Sequence, residues 1–328
     1  MFRTPAFCVL VVASSLLVVA QEKAKKIVAT EPAAAGPDFA VQGEYTGELP
    51  TDDGNKRFGI QVIALGDGKF DAVAYHGGLP GDGWDKSEKI RGSGETTDGV
   101  TVLKGDEGLA KISGGVLSII NKDGNEVGQL KKVERKSPTL GMKPPAGAVV
   151  LFDGSTADAF EGGRITPEKL LMEGVTSKRK FQSCTLHVEF MLPFQPSDRG
   201  QGRGNSGCYL QGRYEVQILD SFGLEGKNNE CGGLYSIKDC DLNMCLPPLA
   251  WQTYDIDYTA AKYDDAGKKV ANGRMTVRHN GVVIHDNVEL PKDTTAAPVK
   301  EGPAPGPIYL QNHGNPVRFR NIWLVEKP

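Results

Sequence analysis

The chain has 328 residues, 39% hydrophobic and 24% charged, with a formal net charge of −3 at pH 7. This balance fits a soluble globular protein with room for two domains and excludes a disordered chain. A mildly acidic chain also lacks the electrostatic footprint of a DNA- or RNA-binding protein.

Residues 1–20, "MFRTPAFCVLVVASSLLVVA", join Arg3 to an apolar run that ends on small residues. This is the pattern of a signal peptide cleaved after Ala20, and it implies a secreted or periplasmic protein. No other stretch approaches membrane length, so no membrane span is expected after cleavage. Residues 21–37 are polar and rich in Ala and Pro, and read as a flexible leader. Between residues 38 and 135 come short runs such as "FGIQVIAL", "KFDAVAY", "VTVLKG", "VLSII" and "EVGQLKKV". Gly66-Asp67-Gly68 and Asp123-Gly124-Asn125 separate them as turns, which predicts a small antiparallel β-barrel or sandwich of unknown role. Residues 136–147 hold Pro144-Pro145 and read as a linker, because adjacent prolines cannot join a sheet interior.

Residues 148–328 carry strand-like segments, "CTLHVEFML", "SGCYLQ", "YEVQIL", "YDIDYTA", "IYLQNHG" and "VRFRNIWLVE", without amphipathic helices. An all-β, two-sheet sandwich is predicted. Asn280-Gly281 favours a type I′ turn and places a hairpin over Arg274–Asp286. Cys184, Cys208, Cys231, Cys240 and Cys245 all fall in this region. An odd number implies at least one free thiol, and Cys231 with Cys245, bracketing a Gly- and Pro-rich loop, is the expected disulfide. The spacings do not suit zinc, and no metal or cofactor is expected.

The segment "GRYEVQILDS" (212–221) places polar side chains among core residues. Glu215 and Gln217 share one face of a strand. Asp220 joins them only if a β-bulge near Ile218-Leu219 inserts one residue. A purely structural role would instead pair Glu215 with Arg213 or Arg318, and let Asp220 open a turn.

The spacing Glu-x-Gln-x-x-Asp resembles the Glu-x-Asp-x-x-Glu strand of family 16 glycoside hydrolases. More closely, "LFDG" (151–154), "GNSGCYLQGRYEVQILDSFG" (204–223), "WQTYDI" (251–256), "VRHNGVVIHD" (277–286) and "PIYLQNHGNPVRFRNIW" (307–323) resemble the 3-keto-disaccharide hydrolase domain family. Phe160 and Cys208 depart from its usual residues. The resemblance implies a concanavalin A-like jelly roll that cleaves the glycosidic bond of an oligosaccharide or glycoside oxidised at C3. The implied route is deprotonation at C2, elimination, and hydration. Glu215 is then the candidate base, Asp220 a second acid, and His313 a donor to the leaving oxygen. Asn205, Gln211, Gln217, Tyr235 and Gln311 would bind sugar hydroxyls, and Arg318 would steady an enolate. The same face could serve a lectin-like envelope protein that binds carbohydrate without catalysis, since a fold does not fix function.

Overall fold

The computed structural model describes residues 26–106 and 108–327, so the expected signal peptide lies outside the described residues. Eight strands, β1 (Gly43–Thr51), β2 (Gly54–Gly66), β3 (Lys69–His76), β4 (Ile90–Thr97), β5 (Val100–Gly105), β6 (Gly108–Ser113), β7 (Val116–Ile120) and β8 (Glu126–Val133), form a closed antiparallel barrel. Closure comes from β1 pairing with both β2 and β8, which leaves no free sheet edge. Strand alternation turns Tyr45, Ile60, Val62, Phe70, Leu117 and Leu130 into the interior.

One end of the barrel is plugged. Ile27, Ala29, Ala35 and the helix α1 (Pro37–Val41) pack on this interior together with Phe194 from the second half of the chain. Ala29 and Phe194 exchange backbone hydrogen bonds of 3.0 and 2.8 Å. The expectation of a flexible leader is therefore corrected over residues 26–37. Its small apolar side chains cover barrel core that water would otherwise reach.

The second half holds β9 (Val149–Phe152), β10 (Phe160–Glu161), β11 (Leu171–Met172), β12 (Val175–Phe181), β13 (Cys184–Met191), β14 (Ser206–Leu210) and β15 (Tyr214–Ile218). It continues with β16 (Trp251–Thr259), β17 (Lys262–Tyr263), β18 (Lys269–Ala271), β19 (Gly273–His279), β20 (Val282–Leu290), β21 (Gly306–Leu310) and β22 (Arg318–Glu326). One sheet runs β10-β12-β21-β14-β15. The other runs β11-β22-β13-β16-β19-β20, with β9 beside β22. The two bury Leu186, Val188, Phe190, Val216, Ile218 and Leu310 between them, a jelly-roll-like sandwich. The Asn280-Gly281 turn forms as expected, both residues having positive φ (50° and 80°) between His279 and its partner Val282. No helix among the described residues is long and apolar enough to cross a membrane.

Within the expected linker, residues 137–142 are a packed strap, while residues 143–147 are exposed. The Ser137 and Thr253 hydroxyls meet at 2.6 Å, and Thr139 Oγ1 donates to Asp255 at 2.7 Å. Gly141 N–H donates to the buried Glu189 carboxylate at 2.5 Å, and Met142 C=O accepts from Asn321 and Trp323. Burial alone would raise the pKa of Glu189, but hydrogen bonds from His187, Asn321, Arg320 and Gly141 hold it near 2.

Barrel and sandwich also meet directly. Phe222 packs on Ile63, Val73 and Tyr75 of the barrel wall. Arg203, buried, donates to Ala64 C=O at 3.1 Å while its Nε donates to Asp220 at 2.5 Å.

The expected Cys231–Cys245 disulfide is corrected, since all five cysteines are free thiols. The Cys231 sulfur instead lies 3.2 Å from the Tyr254 hydroxyl, and Cys245 donates to backbone carbonyls of Leu219 and Leu246. Burial pushes the Cys184 thiol up to about 12. Alkylation of the unfolded, unreduced protein is therefore expected to label Cys184, Cys208, Cys231, Cys240 and Cys245. Mass mapping that finds Cys231 joined to Cys245 would contradict this.

Candidate active site

Strand β15 is regular throughout, its register with β14 running unshifted from Ser206↔Ile218 to Leu210↔Tyr214. Tyr214, Val216 and Ile218 enter the core, so Glu215 and Gln217 must face outward. Tyr209 sits opposite Glu215 and Gly207 opposite Gln217. Tyr309 on β21 adjoins Tyr209, with ring centroids 5.3 Å apart. Residues 232–235 then pair along the far edge of β15: Gln217 N–H donates to Gly233 C=O and Tyr235 N–H to Glu215 C=O, at 2.9 and 3.2 Å.

This covering leaves Glu215 only 2% exposed. The Tyr209 hydroxyl lies beside its carboxyl and favours the charged form, and no cation pairs with it among the described residues. Arg213 is bound instead to Gln211 and to the carbonyls of Lys300 and Ala304. Arg318 is bound to Glu173 at 2.8 Å. Burial pushes the Glu215 pKa up to about 8, and the Tyr209 hydrogen bond only partly opposes it. The Tyr209 phenol is itself raised, first by burial, then by the nearby Glu215 charge, with Tyr309 and Tyr235 adding to it. It therefore keeps its proton and donates.

Glycine is required at 207. A Cβ there would lie 2.2 Å from Glu215 Oε1 and 2.8 Å from the Tyr209 ring. Gly207→Ala is expected to push the carboxyl aside, lowering turnover by about 10²-fold while costing roughly 1–3 kcal/mol of stability. Parallel rate and melting measurements check this.

The expected site residues divide into two groups. Gln217, Tyr235 and Gln311 stand around Tyr209 and Glu215, and Gln311 Nε2 donates to the Tyr209 hydroxyl at 3.3 Å. Asn205 reaches this group through Gln201, whose side-chain oxygen accepts from Asn205 Nδ2 at 3.0 Å and from Gln217 Nε2 at 3.1 Å.

Three assignments, those of Asp220, Gln211 and Arg318, are corrected. The bulge does not form, and Asp220 lies beyond the end of β15 with its carboxylate committed to Arg203. Gln211 is buried in the β14–β15 turn, its amide bound to Phe181 C=O and Gln182 and its oxygen to Arg213 and Tyr258. Arg318 belongs to the other sheet. His313 is exposed and makes no side-chain hydrogen bond among the described residues. Reading the sequence alone overlooked Tyr209, Tyr309, Gln201 and Gly207. Setting β14 against β15 across the three residues Gln211-Gly212-Arg213 would have placed Tyr209 opposite Glu215. Among the described residues, no group of three His, Cys, Asp or Glu side chains could hold a metal.

Comparison with known proteins bears on this site. Residues 147–325 match the 3-keto-alpha-glucoside-1,2-lyase-like domain. A solved structure from Parabacteroides distasonis, described as a candidate glycosyl hydrolase, is 32% identical with a TM-score of 0.51, over 56% of this chain and 85% of that one. A second structure from the same organism with the same description is 16% identical, with a TM-score of 0.41 over 56% and 94% of the two chains. No curated protein matches the chain.

Proposed function

Because the chain belongs to the 3-keto-alpha-glucoside-1,2-lyase-like family over residues 147–325, we propose that its sandwich cleaves 3-keto-glycosides with Glu215 as the base. The observation that carries this reading is a buried carboxyl without a cation, its pKa near 8, set among three tyrosines. A structural carboxylate at such depth is normally paired, because an unpaired buried charge is costly. A sugar-binding face needs no such group.

A ketone at C3 acidifies the hydrogen on C2. Glu215 takes that proton, and the C–H electron pair moves into an enolate over C2 and C3. The enolate collapses to form C1=C2 and expels the glycosidic oxygen, which takes up a proton. Water then adds across the double bond. Tyr235, Tyr309 and Gln311 offer hydrogen-bond donors to the sugar oxygens on the same face. The Tyr209 phenol steadies the ionised form of Glu215 until it is protonated.

Purified protein incubated with matched 3-keto and unoxidised disaccharides is expected to release monosaccharide from the oxidised one alone. The base acts only when ionised, so kcat/KM should climb with pH and level off above about 8. Equal cleavage of both sugars, or none, would overturn the proposal. We further propose that the protein is exported, on the strength of the apolar N-terminal run and its small-residue end.

A further inference from the structure

We infer that Tyr235 is the acid of the cleavage proposed above, protonating the departing glycosidic oxygen and then activating the water that adds; the inference rests on that reading. The elimination gives Glu215 the C2 proton but leaves the proton for the leaving oxygen without a source. The C2–H and C1–O bonds that break lie on adjacent carbons, so the acid must stand beside the base. Tyr309, Tyr209, Glu215 and Tyr235 form one row across the sheet. Tyr309 is opposite Tyr209, and Tyr209 is opposite Glu215. On the other side of β15, the antiparallel bridge Val216↔Leu234 and the Tyr235 N–H bond to Glu215 C=O set Tyr235 opposite Glu215. Residues opposite each other in a strand pair share a face, with Cβ atoms about 4.5–5.5 Å apart. Two strand spacings put Tyr309 roughly 10 Å from Glu215. Tyr209 and Tyr235 therefore flank the carboxyl, one on each side.

The two phenols differ in what they are free to do. Tyr209 is fully buried, and burial first, then the Glu215 charge, makes it hold its proton. Tyr235 is half-buried, and its hydroxyl makes no side-chain hydrogen bond among the described residues. It still lies within electrostatic reach of the Tyr209 hydroxyl. Its backbone is fixed on both sides. Gly232 N–H donates to Gln217 C=O at 2.8 Å, and Ser236 Oγ meets Thr295 Oγ1 at 2.7 Å. The amides of Gln217 and Gln311 can donate hydrogen bonds but are not acids. His313 is exposed and lies past the end of β21.

The protons balance. As the enolate forms C1=C2, the C1–O bond breaks and the leaving oxygen takes the phenolic proton of Tyr235. The phenolate then takes a proton from water, whose oxygen bonds to C1, and Glu215 returns its proton to C2. Both side chains end as they began, and the net change is hydrolysis.

Two oxidised substrates test this through kcat/KM, which reports the steps up to departure of the leaving group. A 3-keto disaccharide expels a sugar alkoxide that needs a proton. A 4-nitrophenyl 3-keto-glycoside expels a stable phenolate that does not. Tyr235→Phe should lower the disaccharide value by about 10²–10⁴-fold. It should lower the 4-nitrophenyl value by about tenfold or less, the loss of one hydrogen bond. Glu215→Gln should lower both by about 10²–10⁴-fold, since both require C2 to be deprotonated. Tyr309→Phe and His313→Gln should treat the two substrates alike. Both substrates are run on one sample of each variant, so the folded fraction cancels from their ratio. A wild type that cleaves neither compound would overturn the reaction, and the assignment with it. Three results would overturn the assignment alone: wild-type cleavage of the 4-nitrophenyl compound only, equal slowing of both compounds by Tyr235→Phe, or selective slowing by Tyr309→Phe or His313→Gln in its place.

Discussion

Glu215→Gln is expected to lower turnover of a 3-keto disaccharide by about 10²–10⁴-fold, the usual effect of removing a general base. Glutamine keeps the shape of the side chain but cannot take the C2 proton, so substrate affinity should change little. Stability should move in the opposite direction to activity. The folded state holds the Glu215 proton up to pH of about 8, whereas an unfolded glutamate releases it near 4.5. Its contribution is therefore fully present below about pH 4.5 and is lost as pH rises through about 8. The wild-type protein should lose stability across that window by an amount on the order of a few kcal/mol, and the glutamine variant should not. A stably folded Glu215→Gln protein with undiminished turnover would remove Glu215 from the mechanism. A variant that melts far below the wild type at pH 6 would make it a structural residue.

Asp220→Ala is expected to act on stability instead. Removing the carboxylate leaves Arg203, itself 5% exposed, as a buried cation without its counter-ion. Breaking such a pair costs roughly 3–5 kcal/mol, about 10 °C in melting temperature for a unit of this size. Arg203 also donates to Ala64 C=O, so the loss should loosen the contact between sandwich and barrel. Turnover per folded molecule should persist at temperatures below the transition. Loss of turnover without loss of stability would return Asp220 to the chemistry.

The contrast between these two residues shows what the sequence made legible. Strand parity alone places Glu215 and Gln217 together, because side-chain alternation is a local property. Asp220 depends on where the strand ends, and that is decided by Arg203, seventeen positions earlier. Gln211 looked free to bind a sugar, but its amide is taken up by groups from strands far along the chain. In the barrel, "FGIQVIAL" and "KFDAVAY" announced β2 and β3 by hydrophobicity. Strand β4, "IRGSGETT", carries no apolar run; it is held by pairing on both sides, with Gly94 pressed against the backbone of β5. Such a strand is specified by its neighbours, and composition does not reveal it.

The barrel is anchored to the sandwich on both sides along the chain: before β1 at the Ala29–Phe194 pairing, and after β8 at Ser137 and Thr139. Two anchors on one rigid body act as a bivalent attachment, in which each keeps the other at high effective concentration. Cutting the chain at one point within the exposed residues 143–147, beyond the second anchor, should therefore leave the halves associated. A nicked protein should elute as one species on a sizing column, and its barrel and sandwich should melt in a single transition.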